Sequence, residues 1–201
     1  RVAAHAHPAE AIRVAADAGV VSVEHATYMD DETIAVLVKH GTWVVPTQAV
    51  YKRLADNIDG WPAEKAAISR DLLVEKTPRL RHAIQAGVKI GIGTDASVHH
   101  FPHDQYASEL VAMKEVGLTN EQILTAATRD NAELLGVENE IGTVEVGKRA
   151  DLVLLGGDPL EDLERTRDVR FTVRNGRVTS PHLLSDGASP YWDQSRASLS
   201  A

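Results

Sequence analysis

Three short stretches end on side chains that can bind a metal or move a proton. Arg1-Val-Ala-Ala-His5 and Val20-Val-Ser-Val-Glu-His25 are apolar runs closed by a histidine. Gly91-Ile-Gly-Thr-Asp95-Ala-Ser97 is an apolar run that passes through a glycine-bracketed turn to a carboxylate. Imidazole nitrogens and a carboxylate oxygen suit a divalent ion such as zinc, which makes a water nucleophilic near neutral pH. The carboxylate can also take that water's proton and pass it to a departing nitrogen. Taken singly, each residue has a plainer reading, the histidines as packing residues and the aspartate as a turn or helix cap. Their recurrence at equivalent positions is what points to chemistry. His7 follows His5 by two residues, but Pro8 puts Ala6 and His7 in the loop, so His7 is not expected to be a ligand.

The elements that must position these groups alternate. Pro8 to Ala18 has helical spacing and stops at Gly19; Asp30 and Asp31 cap a helix from Glu32 to His40 that Gly41 ends. Thr42 to Pro46 is a strand, and 47–62, with Tyr51 and Arg53, reads as a long loop of the kind that forms lids or binding surfaces. Ala63 to Ala86 is helical with an interruption near Thr77-Pro78, and Val88 to Thr94 is a fourth strand, apolar enough to be buried on both faces. Three helical segments follow, Gln105 to Val116, Asn120 to Thr128 (capped by Thr119) and Asn131 to Leu135. The pattern then changes to short strands over 142–155 and 169–178, with a hairpin turn at Asn175-Gly176. The organisation expected is a barrel-type unit over 1–140, β-sandwich strands over 141–180 and a disordered tail over 181–201.

Among the remaining groups, His40 and His82 lie near helix C-termini and read as structural, while His99, His100 and His103 lie close enough to Asp95 in sequence to reach the same mouth. Asp151 is expected to fix a turn. The 201 residues are 43% apolar, enough for a sizeable core, and the formal charge of −8 excludes a general nucleic-acid binder. With no cysteine, disulfide scaffolds, thiolate zinc sites and cysteine nucleophiles are excluded. No apolar run reaches the roughly 18 residues of a membrane span. The first residue is Arg1, apparently inside a strand, so a fragment or processed piece is expected; a cytoplasmic location is the default, with a lost signal peptide left open.

Strand-helix units of this kind build a doubly wound sheet or a (β/α)₈ barrel, whose reacting groups sit at the C-terminal strand ends. The residues that choose between them are Val2-Ala-Ala-His-Ala6, Ser22-Val-Glu-His25, Gly93-Thr-Asp-Ala96, and Ala126-Ala-Thr-Arg-Asp-Asn-Ala-Glu-Leu-Leu-Gly136 running into Ile141-Gly-Thr-Val-Glu-Val-Gly-Lys-Arg-Ala-Asp-Leu-Val-Leu-Leu155. In these the chain resembles the C-terminal half of a metal-dependent amidohydrolase, of the imidazolonepropionase-like group that includes Xaa-Pro dipeptidases.

The resemblance implies an α/β fold, strands 5–8 of a (β/α)₈ barrel with part of a small β-sandwich. It makes His5 and His25 the fifth- and sixth-strand histidines and Asp95 the eighth-strand aspartate. Members also use a His-x-His pair on the first strand and, where two metals bind, a lysine on the fourth; neither strand is present, and His5-Ala-His7 is no substitute for the pair. The activity implied for the full-length parent is hydrolysis of a C–N bond in a cyclic amide or dipeptide, with one or two divalent ions, zinc foremost. His5, His25 and Asp95 would be metal ligands, with His25 and Asp95 catalytic. Tyr51, Arg53 and His100 are candidate substrate contacts. The partners expected are a small-molecule or dipeptide substrate, the missing N-terminal barrel half and, through open sheet edges, further copies of the chain. The competing expectation is an inactive fragment or assembly subunit without its own metal site.

Overall fold

The computed structural model describes residues 1–96 and 101–179. His99, His100 and the expected disordered tail lie outside the described residues. Three parallel strands, β1 (Ala3–Pro8), β2 (Ser22–Tyr28) and β3 (Trp43–Val45), pair in that order. The helices α1 (Ala9–Asp17) and α2 (Asp31–His40) make the crossovers. Asp30 caps α2 by accepting the Thr33 N–H at 2.8 Å, and Gly41 ends it at φ 64°, a left-handed position that suits glycine.

Two helical expectations are corrected. The segment after β3 is not a loop throughout: Gln48–Ala55 forms α3, burying Ala49, Val50 and Leu54. The long helix α4 (Ala63–Gln85) runs through Pro78 without a break. Pro78 deprives the carbonyl of Val74 of its partner, but Val74 is 76% exposed, and on either side of the proline Lys76 and Leu80 are locked into the interior.

The expected fourth strand is extended and buried, yet it meets the sheet through a single bridge, Val44 with Ile90. Its other edge is taken at Ile92 by a side chain. Asn131 accepts the Ile92 N–H at 2.9 Å and donates to the Ile92 carbonyl at 2.8 Å, imitating a neighbouring strand. The glycines allow this approach: a Cβ at Gly91 would meet Leu134 at 2.7 Å and Asn131 at 3.0 Å, and one at Gly93 would meet Val45 at 2.7 Å.

α5 (Tyr106–Val116) and α6 (Asn120–Thr125) follow, α6 opening on a capping box between Thr119 and Gln122. A π-helical turn over Ala126–Asp130 leads into α7 (Asn131–Leu135). One core joins helix residues Ile12, Ile34, Leu37, Leu80 and Met113 to strand residues Val23, Val44 and Ile90. These helices cover one face of the parallel strands.

The C-terminal strands form a separate antiparallel sheet, β4 (Leu152–Leu155), β5 (Val169–Arg174) and β6 (Arg177–Thr179). The Asn175-Gly176 turn is as expected, with φ of 51° and 75°. Asp151 holds that turn by accepting the Asn175 N–H at 2.6 Å, which with Arg149 keeps its carboxyl below the usual range. The stretch expected as strand before β4 is instead turns: Val144 and Val146 are almost fully exposed, and no strand pairs with them among the described residues. No described helix is long and apolar enough to cross a membrane.

Candidate metal centre

β1 and β2 carry the histidines. His5 and His7 alternate with Ala4 and Ala6; Ala6 packs into the helix-side core, so both histidines face the other way. β1 continues to Pro8, so His7 is in the strand and not in the loop that Pro8 suggested. Its ring lies 4.7 Å from that of His5.

His25 needs a distortion to join them. It is two residues from Val23, which packs on the helix side, and regular alternation would send both the same way. The register slips here, from Ala6 opposite His25 to Pro8 opposite Tyr28, so β2 carries one extra residue, with φ of 72° at His25 and 43° at Ala26. Such a bulge re-aims a side chain. The His25 ring ends 4.5 Å from His5 and stacks 4.9 Å from His7. Ligand atoms of His5, His7 and His25 all lie within 4.8 Å of one another.

The rings are held from behind. His7 Nδ1 bonds the Thr27 hydroxyl at 2.8 Å, and His25 Nδ1 bonds the Thr47 hydroxyl at 2.7 Å. Both hydroxyls lie beside Tyr51, whose burial pushes its phenol up to about 12. Burial pushes His25 down to about 4, helped by the positive potential of His7, His5 and Lys76. His7 is lowered by burial, His5 and Lys76, against the opposing pull of Asp95. Neutral imidazole is the ligating form. With Nδ1 protonated toward each threonine, Nε2 of both rings is left for an ion, so the trio of imidazoles, two of them oriented, fits a divalent metal.

Asp95 sits at a left-handed φ of 57° and couples electrostatically to His7, Glu24 and Tyr51. It shares the mouth but does not belong to the close trio. Glu24, beside it on β2, is raised chiefly by burial. Four of the six described non-glycine residues with positive φ, His25, Ala26, Thr47 and Asp95, lie at these strand ends, and the other two are asparagines. Strain of this kind gathers at functional sites.

Tyr51, expected on a loop, lies on α3 with its ring 6.5 Å from that of His7 and 6.1 Å from that of His25. Arg53 does not join the histidines; its guanidinium forks onto Asp59 at 2.8 and 2.6 Å. His100 lies outside the described residues. His40 and His82 approach Asp17 and Asp31, away from the site. The residues that sequence reasoning missed are His7, Thr27 and Thr47. Period-two alternation from His5 was the available signal for His7, and it was overridden by Pro8.

A family model described as the amidohydrolase family matches residues 1–179. An uncharacterised protein of Mycobacterium tuberculosis is 31% identical over 184 residues, which are 90% of this chain and 48% of that protein. Ochratoxinase of Aspergillus niger is 32% identical over 201 residues, 97% of this chain and 40% of that enzyme. A solved Xaa-Pro dipeptidase with methionine bound in its active site is 34% identical, with a TM-score of 0.80 over 89% of this chain and 44% of that one. The chain thus spans about half or less of the length of these relatives, and its α/β fold is the strand 5–8 half of their (β/α)₈ barrel. By its motifs, its fold and these likenesses, the chain belongs to the amidohydrolase family, alongside imidazolonepropionases and Xaa-Pro dipeptidases.

Proposed function

We propose that the complete protein hydrolyses a C–N bond, in a dipeptide or a cyclic amide, at a divalent metal centre to which this chain contributes His5, His7 and His25. The observation that carries the reading is the trio of imidazoles with ligand atoms within 4.8 Å, two of them oriented through Nδ1 by threonine hydroxyls. His5 and His25 are the strand-end ligands named from the motifs, and His7 is the addition made by geometry. Zinc is the ion this nitrogen-rich set suits best. When bound, such an ion lowers the pKa of a coordinated water and polarises the carbonyl to be attacked.

The chain's own residues do the rest. Asp95, at the edge of the trio, takes the proton of the attacking water and returns it to the departing nitrogen. Burial and neighbouring positive groups disfavour protonation of His7 and His25, so neither competes for that proton. Tyr51 lies beside both threonines in a largely buried position and remains a phenol. A dipeptide is favoured over a cyclic amide by the amino acid held in the active site of the similar Xaa-Pro dipeptidase.

A second reading concerns the polypeptide by itself. His5 is exposed and the outer edge of β1 has no partner strand among the described residues, so the isolated chain would hold only part of the centre and be catalytically silent. The experiment is expression of the complete gene product, metal analysis, and assay against Xaa-Pro dipeptides and cyclic amides. Stoichiometric zinc that is lost together with hydrolysis in His25→Ala supports the proposal. A metal-free protein inert toward every substrate even after zinc is added would sink it.

A further inference from the structure

Behind the threonines lies a turn gripped by two buried ionisable side chains. α3 starts without a cap of its own. Thr47 is a residue type that normally accepts an N–H of the first helical turn, yet it makes no such bond, because its hydroxyl meets His25 Nδ1. The N–H groups left over, on Gln48 and Ala49, are taken by the two carboxylate oxygens of Glu109, at 2.8 and 2.7 Å, reaching in from α5. The preceding carbonyl, that of Pro46, accepts from Lys76 Nζ, reaching in from α4. The same ammonium lies 4.3 Å from the centre of the Tyr51 ring.

Both side chains are fully buried, at 0% exposure. Removing two ionisable side chains from water is costly, so a lysine and a glutamate directed at the backbone of one turn call for an explanation. The turn they hold supplies one. Thr47 is β-branched and sits at φ 49°, ψ 50°, a left-handed conformation that persists only where its surroundings impose it. Relaxed to the usual extended cap geometry, its hydroxyl would turn to the first turn of α3 and release His25.

We propose that Lys76 and Glu109 are positioning residues of the metal centre: they hold the turn from Pro46 to Ala49 in the conformation that frees the Thr47 hydroxyl for His25 and sets Tyr51 against both threonines. The role rests on the metal-centre reading above. Glu109 replaces the missing cap, and Lys76 fixes the carbonyl before it. Neither hydrogen-bonds a described histidine; both grip the backbone on either side of Thr47.

The test uses the complete gene product carrying Lys76→Met and Glu109→Leu together, with Glu109→Gln as a shape-preserving companion that loses one anionic acceptor. Three quantities are read: thermal melting, zinc affinity by chelator competition, and the His25 ring tautomer in the metal-free protein by nitrogen-15 NMR. Expected are a cooperative melt at a temperature lowered by the backbone groups left unpaired, zinc binding weakened about 10- to 100-fold in the double variant and less in Glu109→Gln, and loss of the single Nδ1–H form of His25. A purely structural role would lower the melting temperature and leave the other two readouts in place. Wild-type zinc affinity and an unchanged tautomer in the double variant overturn the proposal. Should that variant not melt cooperatively, the same result in Glu109→Gln overturns it. His25→Ala separates the two claims: if it leaves zinc binding intact the metal centre itself is wrong, whereas if it abolishes binding while Glu109→Gln and the double variant do not weaken it, only the positioning role fails.

Discussion

His7 and His25 each give a ring nitrogen to a threonine hydroxyl, and the two hydroxyls lie beside Tyr51, which is itself packed under Lys76. Asp95, across the mouth, ends a segment that meets the sheet through one bridge and is otherwise held at Ile92 by the side chain of Asn131. One side of the site is therefore ordered by a network within the chain, and the other hangs on a single substitute for a strand. A strand on the far edge of that segment would supply the missing ladder, as neighbouring strands do in a closed barrel. On the proposed function, preorganisation of the ligands and preorganisation of the proton carrier are separable.

That separation can be tested from its largest consequence down. Replacing His25 by alanine should lower zinc affinity by more than about 100-fold, beyond what losing an outer-shell partner costs; chelator competition measures it, and near-wild-type affinity would mean that the trio is not the centre. Asn131→Ala should destabilise the fold by roughly 1–3 kcal/mol, because it strips partners from a buried backbone N–H and carbonyl. Its mark in kinetics should be a fall in kcat with zinc affinity little changed, since it disturbs Asp95 and not the histidines. Equal losses in both would erase the distinction between the two sides.

Thr47→Val keeps the β-branched shape and removes only the hydroxyl. It should weaken zinc binding by about 10-fold while the melting temperature moves little. The smallest effect concerns pH. Tyr51 ionises near 10 in the unfolded chain but is pushed up to about 12 in the fold by burial. Its contribution to stability is thus full below pH 10 and lost as pH rises from 10 through about 12. Absorbance at the phenolate band, compared between wild type and Tyr51→Phe, should place its ionisation in that upper window; ionisation near 10 would show a wet, loosely held network on the histidine side.

Much of this was legible in the residues. The apolar runs ending at His5 and His25, the caps at Asp30 and Gly41, the capping threonine at 119 and the Asn175-Gly176 turn depend on neighbours within a few positions, and each appears where local chemistry put it. The helix α3 was not legible. Its start is held by Glu109, about 60 residues away, and no local signal announces a cap that arrives from another helix. Pro78 misled for a related reason, since the packing of Lys76 and Leu80 keeps α4 continuous through it. His7 was lost to a rule about proline that the pairing of β1 with β2 overrode.

Sequence alone determined the family and the strand-helix order and singled out His5, His25 and Asp95 as candidates for chemistry, because these follow from residue type and short-range spacing. Only the tertiary structure decided which side chains face one another. A single extra residue in β2 turns His25 toward His5 and His7, and a strained threonine held by Lys76 and Glu109 supplies its hydrogen bond. Facing depends on strand register and on contacts between distant helices, which become fixed only when the chain packs.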